Sequence, residues 1–349
     1  MTVHTPSYYA RFRCLAGACP HTCCRGWEVP IDRETARYYK TVPGELGERL
    51  RAFLTTDGEG ETAFLLKGDT CPFLTGEKLC ELQVRLGEKG IGEICRSHPR
   101  FSYDYGNLRE TGLCGSCPET ARLILERDME LLTAREEGVA GEEEPPLLGV
   151  LLRARETAME ILETPETTLG QRFQAILLFA NEVQVLLDNG QTADVPRLCG
   201  IYEEEFPLLD PDALPNRKEA LEGCLKTLEG LEILEPQWKE LLERGRAFLR
   251  SGGVIEKPCT DWGRRAGTYF LYRHWLRGVW DGDVLSWAEF GALGVAVSAL
   301  LGALLEEGFP EAFRLFCLET EHSQENLNAL QDKLWRDVGL AEMLALADL

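Results

Sequence analysis

The chain lacks any uninterrupted apolar run of about eighteen residues, the length a helix needs to cross a bilayer. Its most hydrophobic stretch, FGALGVAVSALLGALL (290–305), is shorter and runs into Glu306-Glu307, so it reads as a buried core helix. The start, MTVHTPSYYARFRC, has no apolar leader core and no small-residue cleavage site, so a cytoplasmic protein in a reducing compartment is expected. Positive charge is scarce: 37 Lys and Arg face 58 Asp and Glu, a net charge of −21. Nucleic acid and anionic membranes are themselves polyanions, so neither is an expected partner. No glycine-rich G-x-G-x-x-G turn follows a strand pattern, and strands do not alternate with helices. A Rossmann-type nucleotide site is therefore not expected.

Cysteine, by contrast, is abundant and unevenly placed. Nine of the thirteen fall within the first 117 residues: Cys14, Cys19, Cys23, Cys24, Cys71, Cys80, Cys95, Cys114 and Cys117. The remaining four, Cys199, Cys224, Cys259 and Cys317, are scattered, as single buried thiols would be. In a reducing compartment an odd total fits metal ligation better than a disulfide framework.

This contrast divides the chain. Residues 1–135 read as a loop-rich cysteine-cluster region with short elements, 136–146 (EEGVAGEEEPP) as an acidic linker, and 147–349 as an all-helical domain. The fold class is thus mainly α, with one short β-hairpin. Asp32 is placed to cap a helix beginning in IDRETARYY, and Leu46, Leu50, Phe53 and Leu54 share one face of GELGERLRAFL. TAFLLKGDTCPFLTGEKLCEL reads as strand, turn, strand, with Gly76 in the turn. Pro118 suits the first position of a helix through PETARLILERDMELL. Further helices are expected over 147–163, 169–188, 214–231, 235–249, 260–279, 285–306, 310–319 and 323–347, with Gly339 a candidate break.

The cysteine spacing begins C-x4-C-x3-C-C and ends C-x2-C-P. Thiolates suit zinc and iron–sulfur clusters. Three familiar templates fail. The C-x3-C-x2-C of radical chemistry has Gly26 at its third position, no C-x-x-C-H occurs, and a zinc ribbon needs two C-x2-C pairs where one is present. Successive side chains on an extended backbone point apart. Cys23 and Cys24 are therefore expected either to serve different metal atoms or to divide into one ligand and one packing neighbour. Trp27 reads as packing beside them.

Taken together, FRCLAGACPHTCCRGWEVPID, CPFL…CEL, IGEICRSHPR and CGSCPETAR resemble the flagellin lysine-N-methylase family (FliB-like). They resemble more distantly the small cysteine-cluster proteins that chelate zinc or iron. A second block, CLETEHSQENL (317–327), is similar to the family's acidic E-x-E-H-S-x-x-N-L segment. His98 and Cys317 depart from the family pattern, which has an aromatic and a small residue at these positions. The resemblance implies a methyltransferase that moves a methyl group from S-adenosylmethionine to flagellin lysine ε-amines. It also implies a 4Fe-4S cluster held by the N-terminal cysteines, with zinc as the alternative metal. A noncatalytic metal-binding protein with a helical partner-binding domain is the competing reading, and an electron-transfer protein a third.

Two polar groups carry the candidate chemistry. Glu319, Glu321, His322 and Asn326 offer a base or orienter for the lysine amine. The alternative is helix capping by Ser323 with Asn326 at the third helical position. In KPCTDWGRRAGTYFLYRHWLR (257–277), Arg264, Arg265 and Arg273 offer grips for a carboxylate and Tyr269 an aromatic face for the cofactor; the alternative is an amphipathic core helix whose arginines pair with nearby acids. Arg96, His98 and Arg100 have the same two readings, steadying cluster charge or forming salt bridges.

Overall fold

The first strand lies inside a sheet, which the sequence pattern did not suggest. Strands β1 (Thr2–Pro6), β4 (Arg100–Tyr105), β5 (Leu108–Leu113) and β6 (Leu131–Arg135) form a four-stranded sheet in the order β4-β5-β1-β6. β1 runs parallel to β5 and antiparallel to β6. Between β1 and β4, β2 (Leu54–Thr56) and β3 (Thr62–Phe64) form a separate two-stranded hairpin. The computed structural model describes residues 1–25, 29–58, 60–137, 143–253 and 260–347, and at 335–337 the backbone alone. Trp27, Cys259 and 138–142 of the acidic stretch lie outside the described residues.

The hairpin expected at 62–82 is displaced. Its first arm, β3, pairs backward with β2, and only an isolated Leu74–Cys80 bridge spans the Gly76 turn. The helix expected from Pro118 through Leu132 also stops early. Helical spacing of its leucines suggested continuation, but Leu131 and Leu132 are exposed and their backbone completes the sheet beside β1. Sheet pairing overrides local helical preference here.

The remainder is mainly helical. The N-terminal part carries α1 (Arg33–Thr41), α2 (Gly44–Phe53), α3 (Glu81–Leu86), α4 (Glu93–Ser97) and α5 (Pro118–Glu126). After the acidic stretch come α6 (Leu148–Glu163), α7 (Leu169–Asp188), α8 (Val195–Glu204), α9 (Arg217–Glu229), α10 (Pro236–Arg250) and α11 (Thr260–His274). Then follow α12 (Gly278–Asp281), α13 (Leu285–Gly302), α14 (Phe309–Glu321), α15 (Gln324–Asp337) and α16 (Leu340–Leu346). Local chemistry sets several starts. Asp32 accepts the Thr35 amide at 2.9 Å, Thr168 and Gln171 form a reciprocal capping box, and Ser323 accepts the Asn326 amide at 3.1 Å. Gly339 caps α16, so the last helical stretch is broken there.

α13 is apolar on every face and has 17 of its 18 residues buried. Such a helix belongs at the centre of a core, and α7, α11, α14 and α16 pack around it. It is also the one described helix long and apolar enough to span a bilayer by composition, a property its burial accounts for. Two apolar clusters result. The larger joins the α6–α16 helices to Tyr8, Phe12, Leu108, Leu113 and the buried face of α5. The smaller, built on Ile31, Tyr39, Leu46, Leu50, Phe64, Phe73, Leu82 and Ile91, belongs to the intervening cysteine-bearing segment. A buried Arg155–Glu110 pair at 2.6 and 2.8 Å fastens α6 to β5.

Candidate functional site

The nine N-terminal cysteines separate into neighbourhoods. Cys23 and Cys24 sit in a turn, and their thiols hydrogen-bond to each other. The extended backbone assumed in expecting them to diverge is absent, so adjacency is no obstacle to a shared metal. The bond from Cys24 lowers the Cys23 pKa to about 7, giving it thiolate character. Cys24's carbonyl accepts the Cys71 amide at 2.9 Å, which joins the loop to the smaller core.

Cys71, Cys80 and Cys95 lie within electrostatic reach of Cys23, and Cys71 and Cys80 within reach of Cys24. Burial, and then the charges of Cys80, Cys71 and Cys23, raise the Cys95 thiol to about 12. Cys14, Cys19 and Cys117 form a second neighbourhood, where Cys19 feels Cys14 and Cys23, and Cys117 feels Cys19. Among the described residues, no three His, Cys, Asp or Glu side chains stand close enough to hold one metal ion as they are. Donor type and number suit a thiolate-bound metal centre, while closure around a single ion needs the thiols to draw together.

Cys114 faces inward instead. Its neighbours are Arg273, Glu321 and the buried Cys317, and Arg273 hydrogen-bonds its sulfur. The turn from Cys114 to Cys117 is seated on α11 and α14. The Gly115 amide donates to Tyr269 Oη at 2.9 Å, and Ser116 Oγ lies 2.6 Å from His322 Nε2. A side chain on Gly115 has no room, since a Cβ would lie 2.6 Å from Cys317 Sγ and 2.9 Å from the Phe313 ring. Gly115→Ala is expected to cost about 1–3 kcal/mol through overpacking. A urea unfolding curve displaced by less than about 0.5 kcal/mol would show that the turn shifts without strain.

Below this turn lies a buried charge network. Glu321, whose side chain is 0% exposed, receives Tyr269 Oη at 2.8 Å and lies 3.1 Å from Arg273 Nε and 2.7 Å from His274 Nε2. Burial opposes its ionisation, but Arg273 and the His274 and Tyr269 hydrogen bonds hold its pKa below the usual carboxylate value. Burial, and then Arg273, lower His98 to about 4; burial, and then His98, lower His322 to about 3. The two rings meet edge to face at 5.5 Å. Arg273 also stands 4.5 Å over the Phe101 ring.

The structure therefore brings together four of the candidates (Tyr269, Arg273, Glu321 and His322) and sets the others apart. Glu319 accepts the Leu234 and Glu235 amides at 2.9 and 2.7 Å, and burial raises its pKa to about 7. Asn326 bonds the Glu232 amide and carbonyl and the Glu319 carbonyl, so both residues pin the α9–α10 connection. Arg264 pairs with Glu163 and Asp128, and Arg265 with Asp128 at 2.8 Å, bracing α11 against α5 and α6. His274, Gly115 and Ser116 were not singled out from sequence. His274 is adjacent to Arg273 in the aromatic-basic stretch, but nothing local signals its bond to Glu321, 47 residues away.

Part of the chain has counterparts among known sequences. The chain is related to the FliB-like lysine-N-methylases. It is 30% identical over 142 residues to the lysine-N-methylase of Salmonella typhimurium and 29% identical to that of Salmonella choleraesuis, in each case over 39% of this chain and 35% of the relative. It is 28% identical over 138 residues to the flagellar biosynthetic protein FliU of Salmonella muenchen, covering 36% of this chain and 78% of FliU. The match thus spans about a third of each lysine-N-methylase. No protein-family profile matches the chain, and no solved structure does.

Proposed function

We propose that the protein methylates lysine ε-amines of another protein, flagellin being the first candidate, with S-adenosylmethionine as the methyl donor. The observation that carries this reading is the sequence relationship to lysine-N-methylases. The electrostatic proximity of Cys23, Cys24, Cys71, Cys80 and Cys95 supports a metal: four of these five would hold a 4Fe-4S cluster, with Cys14, Cys19 and Cys117 near it. Such a cluster, when bound, supplies a redox-active iron centre. Zinc stays the alternative because the Cys23 and Cys24 thiols meet.

Methyl transfer requires a neutral amine. Its lone pair forms the new C–N bond while the C–S bond breaks toward sulfur, and the extra proton leaves the nitrogen. His322 is a weak acceptor for that proton because its pKa is depressed to about 3. Its bond to Ser116 suits it to orienting the turn. Glu321 is saturated by Tyr269, Arg273 and His274, and acts as a positioning residue.

Co-expression with flagellin should yield methylated lysines by mass spectrometry, and flagellin that gains no methyl group refutes the substrate reading. Anaerobically prepared protein should contain iron and acid-labile sulfide, and Cys71→Ser and Cys80→Ser should each lose most of it. A colourless preparation holding only stoichiometric zinc would overturn the cluster.

A further inference from the structure

One cavity borders the cysteine region without belonging to the buried network. It measures about 280 Å³ and opens between α5, the start of α11 and the start of α14. That is room for a long side chain, at the small end of the roughly 300–1,000 Å³ of sites that enclose a whole small-molecule ligand. Trp262 forms an aromatic wall, backed by Phe309 at 6.2 Å with the rings nearly parallel. Pro118, Ala121, Leu125 and Pro310 supply apolar floor.

The charges at the rim favour a cation. Arg122 is held by Glu119 at 2.7 and 2.9 Å and by Glu126 at 2.6 Å, and Arg314 by Glu311 at 2.7 and 2.8 Å. Both lining arginines are therefore neutralised within the wall. The third lining carboxylate, exposed Glu307, has no ion pair among the described residues. An alkyl chain on the apolar floor, with an ammonium between the indole face and a carboxylate, satisfies this arrangement. The position is suitable too. Pro118 follows Cys117, and Glu311 reaches His21, within the Cys19–Cys23 loop, at 3.3 Å.

We infer that this cavity receives a protein lysine side chain as its ammonium, before the proton leaves for methyl transfer, with Trp262 as the aromatic wall and Glu307 as the carboxylate facing the charge. The inference rests on the proposed lysine methylation and specifies where the substrate is held. The test is calorimetric titration of the full chain with Nα-acetyl-lysine N-methylamide and its uncharged norleucine analogue. Methylation of flagellin by the same preparations is followed in parallel. The lysine compound should bind, the norleucine compound at least tenfold more weakly, and Glu307→Gln and Trp262→Leu should each weaken lysine binding at least tenfold. Unfolding midpoints of both variants confirm that they fold, and Glu307→Gln, at an exposed site, carries the test if Trp262→Leu does not. Equal binding of the two compounds, or unchanged binding by Glu307→Gln, overturns the subsite. Lysine binding lost in Glu307→Gln supports the subsite even where no flagellin is methylated, and that last result refutes the activity alone. Methylation whose KM is unmoved by Glu307→Gln refutes the subsite and leaves the activity standing.

Discussion

Glu321→Ala should destabilise the protein by about 3–5 kcal/mol, the cost of leaving a buried charge without its partner. Arg273 is 6% exposed and stands on the Phe101 ring, so it cannot turn to water when the carboxylate is removed. The polar groups left around it, the Cys114 sulfur and the Tyr269 and Tyr103 hydroxyls, carry no fixed negative charge at neutral pH. Tyr269 loses the acceptor for its hydroxyl at the same time, and with it the alignment of the Gly115 amide. Glu321→Gln, which keeps a hydrogen-bonding oxygen but loses the charge, should fall between the wild type and the alanine variant. Urea denaturation at neutral pH measures both. A loss below about 1 kcal/mol for Glu321→Ala would mean that water enters and solvates Arg273.

The second large effect is pH-dependent and lies elsewhere, on α13. Glu289 is 2% exposed on this apolar helix, and burial, with Asp283 adding repulsion, raises its pKa from 4.5 to about 8. A carboxyl whose folded pKa is raised binds its proton more tightly in the folded state than in the unfolded one. Stability from this group is therefore complete below the unfolded value, falls as pH rises through the window, and is lost above about pH 8. The slope is about 1.4 kcal/mol per pH unit, which amounts to roughly 4–5 kcal/mol across the window. Glu289→Gln should remove this slope and be the more stable protein at pH 9, while matching the wild type near pH 4.5. Parallel stability–pH curves for the two proteins would show that Glu289 ionises at its ordinary value.

Much of the helical architecture was legible because its signals are local. Asp32, Ser323 and Gly339 act within one turn of where they stand, and the apolar run at 290–305 declares a buried helix by composition alone. The sheet was not legible, because β1 finds its neighbours more than 100 residues away, at 108–110 and 131–135. The site divides in the same way. Cysteine content pointed to the thiol-rich region, whereas the separation of Cys114 from the others depends on which side of a turn faces α11. Asn326 and Glu319 read as chemistry in sequence, since a polar side chain that holds another segment's backbone looks the same as one that holds a substrate.

The first cysteine loop is held at both ends. Phe12 is buried in the larger core just before Cys14, and after Cys24 the chain is caught by the Arg25–Thr70 bridge and the Cys71 amide. The intervening segment is therefore a closed loop of about a dozen residues, whose ends the fold has already brought together. Its last two thiols, Cys23 and Cys24, are thereby confined near Cys71 and Cys80 at a high effective concentration, with no further chain-closing cost to gather them. Binding and release of the proposed metal there should leave the sheet and the helical core in place, separate from unfolding of the chain.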